Sequence, residues 1–257
     1  MVLMEIRFAP GAPPLTSLPS PMPSVALWQL HLDGKSAPRG ILIECLNAEE
    51  QAHAANLRLQ SDRLRYAATR AALRALLGRR LGLPADSLRF ETGPHGKPWL
   101  DISAAPGFNV SHAGDFAWIA LAEGGGEVGV DIERIDPGLG QDSLREMAAH
   151  CLTARERDWL ETMPAAAWPE AFHLLWTAKE ALLKALGLGI ADHLQHVSVA
   201  VDTKQGDVGD AHGARWLTVR PESGQLAAHA AALARTRLYR LDAPPGYAAA
   251  MAWLPPF

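Results

Sequence analysis

The sequence predicts an α+β fold made of two similar halves. The hydrophobic pattern gives the order helix, strands, strand, helix, strands, which is typical of small sheets with helices packed against them. Three glycines at residues 124–126 interrupt this pattern near the middle of the chain and favour a boundary there. With 257 residues, 48% of them hydrophobic, the chain can form one large domain or two small ones. We therefore expect one half over residues 24–126 and a second over residues 127–257, although no internal repeat can be aligned.

The first half is predicted to follow a loose tail. Six prolines lie within residues 1–23 and disfavour both helix and central strand, so this proline-rich segment is expected to be a tail. An Ala-, Leu- and Arg-rich stretch over residues 48–81 predicts one or two helices, ended by Gly82 and Pro84. The predicted strands of this half cover residues 25–32, 88–92, 107–112 and 116–122.

The second half is predicted to begin with a strand and end with several. Residues 128–135 (VGVDIERI) read as a strand, residues 141–162 as a helix, and residues 171–186 as the strongest helix of the protein. The segments VSVAVD, RWLTVRP, RTRLYRL and YAAAMAWL then predict a run of strands up to the C-terminus.

Charge and composition exclude several classes of protein. The 24 Lys and Arg residues face 28 Asp and Glu residues, so the chain lacks the overall positive field of a typical nucleic-acid binder. Cys45 and Cys151 are too few for a disulfide framework and are not spaced like zinc ligands. The first ten residues show no apolar stretch behind a basic segment, the pattern of a signal peptide, and no long uncharged apolar run occurs in the sequence. We expect a cytoplasmic protein without nucleic-acid or membrane partners.

Acidic residues of two segments suggest a cation site. In VGVDIE, Asp131 and Glu133 project from the same face of a strand, because side chains alternate along it. In the helix FHLLWTAKEALLKALG, Trp176, Glu180 and Lys184 share one face. A solvated strand edge and an ordinary Glu–Lys pair are the alternatives. Three carboxylates without a His or Cys cluster suit a hard cation such as Mg²⁺, which often binds substrate phosphate as well.

A glycine-rich turn offers a candidate phosphate contact. In GPHGKPWL, the flexible Gly96 precedes Lys97, and Pro98 restricts the backbone after it, so the turn presents an ammonium group with little freedom. A plain connection with a solvated lysine is the alternative reading.

A second candidate lies in FNVSHAGDF. Asn109, Ser111 and His112 stand at the end of one predicted strand, where a hydroxyl, a backbone N–H and an imidazole could converge on a phosphate. A bound dianion would favour the charged form of His112. The alternative is a simple turn with a buried, hydrogen-bonded histidine.

Taken in order, GKPWL, FNVSH, GVDIE and WTAKEALLKALG resemble the motifs of the 4′-phosphopantetheinyl transferase superfamily, with similarity over about residues 25–254. The length is similar to that of the Sfp-type members, in which two related halves form a pseudo-dimer within one monomeric chain. The resemblance implies transfer of 4′-phosphopantetheine from coenzyme A to a serine of an acyl or peptidyl carrier protein. It further implies release of adenosine 3′,5′-bisphosphate and a requirement for Mg²⁺, with Mn²⁺ as a substitute.

The resemblance also assigns roles to residues. Asp131, Glu133 and Glu180 would be metal ligands, Glu180 would also be the base for the carrier serine, and Lys184 would hold the pyrophosphate. Coenzyme A would be bound by Arg58, Arg70, Gly96, Lys97, Pro98, Asn109, Ser111, His112, Asp131 and Lys184. Two other functions remain open from the residues alone. One is a catalytically silent module that binds coenzyme A or a nucleotide, and the other is a Mg²⁺-dependent phosphohydrolase.

Overall fold

The computed structural model describes residues 5–6, 14–32, 46–201 and 215–256. Its strands are β1 (Glu5–Ile6), β2 (Leu15–Leu18), β3 (Val25–His31), β4 (Phe90–Thr92), β5 (Pro98–Leu100), β6 (Gly107–Ala113), β7 (Phe116–Ala122), β8 (Glu127–Arg134), β9 (Val197–Val201), β10 (Arg215–Pro221), β11 (Arg237–Leu241) and β12 (Tyr247–Leu254). Its α-helices are α1 (Ala48–Asn56), α2 (Gln60–Leu81), α3 (Gln141–Cys151), α4 (Ala154–Glu161), α5 (Trp168–Leu186), α6 (Ile190–His193) and α7 (Ala230–Arg235). The predicted α+β class is confirmed.

The first sheet has the antiparallel strand order β1-β2-β3-β7-β6. One of its faces packs on helix α2 through a core that includes Leu73, Leu77, Ile119 and Leu121. The short hairpin β4–β5 lies outside this sheet.

The N-terminal segment departs from its prediction. The expectation of a loose tail is wrong for Leu15–Leu18, which pair with β3 and bury Leu15. Prolines precede and follow this strand, and none lies inside it, so its backbone N–H groups remain available for pairing. Residues 1–4 and 7–13 of the predicted tail, and Cys45, lie outside the described residues.

The second sheet has the antiparallel order β8-β12-β11-β10-β9 and packs on helix α5. Helix α5 is buried along most of its length, and it ends where Gly187 adopts a left-handed conformation with φ 68°. The two sheets meet through a shared core, so each carries its main helix on the outer face. That core contains Val25, Leu27, Trp118, Ala120, Val128, Val130, Ile132, Tyr239 and Met251.

The predicted helix over residues 141–162 is divided into α3 and α4. The Thr153 side chain accepts from the backbone N–H of Glu156, and the Glu156 carboxylate accepts from the backbone N–H of Thr153. This reciprocal capping box begins a new helix at Ala154. Within the part of the chain described here, no helix is both long and apolar enough to cross a membrane.

Candidate active site

Strand β8 and helix α5 bring the predicted acidic residues together because Gly129 lets them approach closely. A Cβ atom at Gly129 would lie 1.9 Å from the carbonyl oxygen of Ala181 and 2.5 Å from the backbone nitrogen of Ala185. Since side chains alternate along β8, Asp131 lies on the same face as Gly129 and therefore points toward α5. Glu180 precedes Ala181 on that helix, so this contact places the two carboxylates side by side.

The acidic residues form a compact cluster. Ligand oxygens of Asp131, Glu133 and Glu180 all lie within 4.8 Å of one another. Lys184 Nζ lies 2.6 Å from Asp131 Oδ1 and 3.2 Å from Glu180 Oε2. Asp131 is only 1% exposed, which excludes the alternative of a solvated strand edge. The Glu180–Lys184 helix pair does form, as part of a larger cluster.

Burial and mutual repulsion shift the protonation of this cluster. Burial, followed by repulsion from Asp131 and Glu180, raises the pKa of Glu133 to about 7. Burial and repulsion from Asp131 likewise raise the pKa of Glu180, although Lys184 opposes this. Burial disfavours the charge of Lys184, but attraction to Asp131 and Glu180 outweighs it and raises its pKa.

The donor set fits a hard divalent cation. Asp131 Oδ1 receives hydrogen bonds from Ser111 and Lys184, whereas Asp131 Oδ2 is buried without a hydrogen-bond partner among the described residues. A buried carboxylate oxygen without a partner is costly unless a cation or water completes it. Burial is the main cause of the raised pKa of Glu133, and repulsion from Asp131 and Glu180 adds to it, so a cation bound here would relieve that repulsion.

Asn109 and Ser111 connect the two sheets next to this cluster. Both belong to β6, the edge strand of the first sheet, and reach β8, the edge strand of the second. The Oδ1 atom of Asn109 accepts a 2.9 Å hydrogen bond from the backbone N–H of Val130. Ser111 Oγ donates to Asp131 Oδ1 at 2.7 Å and accepts from the backbone N–H of Ile132 at 3.4 Å. The two residues, both predicted to bind coenzyme A, therefore also provide hydrogen-bond acceptors for backbone N–H groups at the edge of β8.

His112 lies beside an arginine that the sequence analysis did not select. Although His112 is exposed, protein atoms packed around its ring lower its pKa, and the charges of Arg65 and Lys184 lower it further. Arg65 lies on α2 and donates to the carbonyl oxygen of Gly114, two residues after His112. One of five arginines in residues 58–74, Arg65 was not distinguished by any local sequence signal. The contact with the β6–β7 hairpin distinguishes it.

The predicted glycine-rich turn lies at the other end of β8. Gly96 has φ 84° in the tight β4–β5 turn, and Pro98 begins β5. Lys97 Nζ lies 2.6 Å from Glu127 Oε2 and donates to the carbonyl oxygen of Val128 at 3.2 Å. This turn lines a surface cavity of about 520 Å³. Lys97 therefore already has an acidic partner, and its two contacts on β8 lie four and three residues before Asp131.

The two remaining predicted arginines differ in environment. Arg58 is exposed in the connection between α1 and α2. Arg70 is half-buried, lies 3.4 Å from Glu50 Oε1 and covers the ring of Phe90. The described contacts of Arg70 thus fasten α1 to α2 and do not reach the carboxylate cluster.

Sequence comparison relates most of this chain to known proteins. Residues 127–234 match the sequence profile of the 4′-phosphopantetheinyl transferase superfamily, and residues 38–124 match the profile of a 4′-phosphopantetheinyl transferase N-terminal region. The 4′-phosphopantetheinyl transferase HetI of Nostoc sp. is 32% identical over 202 residues, covering 77% of this chain and 82% of that protein. The 4′-phosphopantetheinyl transferase psf-1 of Bacillus pumilus is 32% identical over 62% of this chain and 66% of its own length.

Two further similarities are less complete. A putative 4′-phosphopantetheinyl transferase of Synechocystis sp. is 36% identical, and the matched segment spans 61% of its length. A crystal structure of a Bacillus anthracis holo-(acyl-carrier-protein) synthase in complex with coenzyme A (3′,5′-ADP) aligns with a TM-score of 0.35 and 19% identity. It covers 50% of this chain and 94% of that one. From the match to HetI over most of both chains, together with the two adjoining profiles, it follows that this chain belongs to the 4′-phosphopantetheinyl transferase superfamily.

Proposed function

We propose that this protein transfers the 4′-phosphopantetheine group of coenzyme A to a serine hydroxyl of an acyl or peptidyl carrier protein. The observation that carries the proposal is the cluster in which Asp131, Glu133 and Glu180 lie within 4.8 Å of one another beside Lys184. A site that holds a base, a lysine ammonium and a carboxylate set able to bind a metal suits phosphoryl transfer, which depends mainly on positioning and charge stabilisation.

In the proposed reaction, the serine oxygen forms a bond to the phosphorus that carries pantetheine. The bond between that phosphorus and the bridging oxygen of the pyrophosphate breaks, and adenosine 3′,5′-bisphosphate leaves. Glu180 accepts the serine proton, directly or through water, and its raised pKa makes this carboxylate a stronger base. Lys184 stabilises the negative charge that develops on the leaving phosphate.

Asp131, Glu133 and Glu180 would hold Mg²⁺ or Mn²⁺, and the unpartnered Oδ2 of Asp131 supports this assignment. A divalent ion bound there would supply charge neutralisation at the pyrophosphate oxygens. The protein's own part is to keep the three carboxylates together on a rigid strand and helix, so that little reorganisation is needed on binding.

Coenzyme A would contact both halves of the protein. His112 would bind the 3′-phosphate, and we add Arg65 to that contact because it donates to the carbonyl oxygen of Gly114, two residues after His112. Lys97 would have to exchange Glu127 for a phosphate in order to contribute, whereas Asn109 and Ser111 hold β8 in place. The predicted contacts of Gly96, Pro98, Arg58 and Arg70 remain part of the proposal.

Intact mass spectrometry of an apo carrier protein, incubated with this protein, coenzyme A and Mg²⁺, tests the proposal. We expect a mass gain of one phosphopantetheine group, which is lost with EDTA or with Glu180→Gln. Glu170→Gln is the matched control, since Glu170 is an exposed residue in the first turn of the same helix. It should retain full transfer.

Other outcomes identify the alternatives. Tight binding of coenzyme A without transfer to any of several carrier proteins would indicate the silent binding module. Release of adenosine 3′,5′-bisphosphate in the absence of a carrier protein would indicate a phosphohydrolase.

A further inference from the structure

Tyr247 links the carboxylate-bearing part of the site to the hairpin that carries His112. It is the first residue of β12, where it pairs with Arg134, and the next pair in the register is Ala248 with Glu133. Its backbone is held at the same point, because Tyr247 N–H donates to Pro244 O at 3.0 Å. The base of this side chain is thus fixed to the strand pair that positions Glu133.

The tip of the same side chain reaches the other half of the protein. The Tyr247 hydroxyl oxygen accepts a 3.2 Å hydrogen bond from the backbone N–H of Asp115, in the turn between β6 and β7. Its ring also packs perpendicular to Phe116, with the ring centroids 5.0 Å apart. Ala113 and Phe116 flank this two-residue turn, and His112 directly precedes Ala113, so the phenol contacts the hairpin close to the imidazole.

Gly114 makes this approach possible. A Cβ atom at Gly114 would lie 2.2 Å from the Tyr247 hydroxyl oxygen, and the residue has φ 51°. Arg65 contacts the same turn and donates to Gly114 O at 3.1 Å. Two side chains from different elements therefore hold the hairpin, Arg65 of α2 and Tyr247 of β12.

We propose that Tyr247 is a positioning residue that fixes the distance between the carboxylate cluster and the His112–Arg65 pair. The inference rests on the proposed function, in which these two places bind the pyrophosphate and the 3′-phosphate of one coenzyme A molecule. Two anionic groups joined by a short linker are bound tightly only if their sites are held at a matching distance. Tyr247 acts through the hairpin and touches neither phosphate.

Tyr247→Phe is the decisive variant, because it keeps the ring against Phe116 and removes only the hydroxyl. Amide hydrogen exchange of Asp115, measured by NMR, should become faster once its acceptor is lost. Calorimetry should give an increase of about fivefold in the Kd of coenzyme A, the effect of one ordinary hydrogen bond, and no change for 3′-dephospho-coenzyme A. The kcat for carrier modification should remain close to that of the wild type.

Tyr239→Phe is the matched control. The Tyr239 hydroxyl also joins the two halves, since it donates to Met22 Sδ at 2.8 Å, but it lies in the shared core. This variant should change neither the Asp115 exchange rate nor the preference for coenzyme A over its 3′-dephospho form. An unchanged Asp115 exchange rate in Tyr247→Phe, or an equal effect on both ligands, would overturn the proposal.

A double-mutant cycle with Gly114→Ala provides a second test. The added methyl group should weaken coenzyme A binding more in the wild type than in Tyr247→Phe, because the nearest clashing atom is the hydroxyl oxygen. Equal effects in both backgrounds would contradict the proposed contact. If the wild-type protein transfers no phosphopantetheine, the proposed function fails, whereas exchange and binding still decide the role of Tyr247.

Discussion

Lys184 and Asp131 form a 2.6 Å ion pair that connects helix α5 to strand β8. Only one oxygen of Asp131 takes part, and it also accepts from Ser111 of the other half. Asp131 Oδ1 therefore binds a serine of the first sheet and the Lys184 ammonium, whereas Oδ2 has no hydrogen-bond partner among the described residues and can bind a metal ion. The first three predictions concern the carboxylates of this cluster.

Glu180→Gln and Asp131→Asn should each lower kcat by orders of magnitude while the protein stays folded. Each change removes one of several adjacent negative charges, and in Asp131→Asn the amide oxygen can still accept from Ser111 and Lys184. Initial rates of carrier modification measure the effect, and circular dichroism with thermal melting checks the fold. Unfolding of either variant would point to a structural role for that carboxylate.

Glu133 should make the stability of the metal-free protein depend on pH. Its pKa is about 7 in the folded protein against an ordinary value of 4.5, so the folded state retains a proton that the unfolded chain has lost. The corresponding stability is present below about pH 4.5 and is lost as the pH rises through about 7. Thermal melts from pH 5 to pH 8 should show this decline.

Mg²⁺ should oppose that decline. Since a cation displaces the proton of Glu133, saturating Mg²⁺ should raise Tm more at pH 8 than at pH 5.5. Glu133→Gln, which is neutral at every pH, should weaken both the pH dependence and the Mg²⁺ effect. A wild-type protein whose Tm responds equally to Mg²⁺ at both pH values would contradict the assignment of Glu133 as a ligand.

The residues of the acidic cluster could be predicted from sequence because their positions follow from local periodicity. Alternation along β8 places Asp131 and Glu133 on one face, and helical spacing places Glu180 beside Lys184. Sequence did not indicate that these faces are buried against each other. That depends on the absence of a side chain at Gly129, whose importance is visible only when Ala181 lies next to it.

Contacts between distant segments account for what the sequence analysis missed. Arg65 and Arg74 lie in the same arginine-rich helix, but Arg65 reaches the hairpin after His112, while Arg74 is fully buried against Glu50. The helical periodicity of the sequence does not predict these different environments, since they depend on which other element packs against each turn of α2. The strand at Leu15–Leu18 was not predicted for a different reason. The prolines on both sides of it favour an irregular segment, and the four residues between them are too few to show a strand pattern.

The pKa of His112 should rise when coenzyme A binds. In the free protein, protein atoms packed around the ring and the charges of Arg65 and Lys184 lower this pKa, whereas a nearby phosphate dianion favours the imidazolium. NMR titration of the His112 ring proton with and without adenosine 3′,5′-bisphosphate measures the shift. In addition, His112→Ala should raise the KM of coenzyme A more than that of 3′-dephospho-coenzyme A. Equal increases would place the 3′-phosphate elsewhere.

Lys179 and Glu156 should contribute more to stability than to turnover. Lys179 is 0% exposed and is paired with the equally buried Glu156, which also accepts from the backbone N–H of Val199 at 2.7 Å. Glu156→Gln leaves the buried ammonium without its counter-charge, and we expect a loss of about 3–5 kcal/mol in the free energy of unfolding. Urea denaturation measures this loss. A double replacement, Lys179→Met with Glu156→Gln, should cost less than the sum of the single changes.

Gly129→Ala should separate the carboxylates by forcing β8 and α5 apart. The new methyl group would lie 1.9 Å from Ala181 O, which is helix backbone and cannot move away like a flexible side chain. Because Asp131 and Glu180 are held on these two elements, the variant should lose Mg²⁺-dependent stabilisation together with a large part of its stability. Gly138→Ala is the control, since its Cβ would meet only the Asp136 side chain in an exposed turn. Retention of the Mg²⁺ effect in Gly129→Ala would show that the cation does not need the close contact between strand and helix.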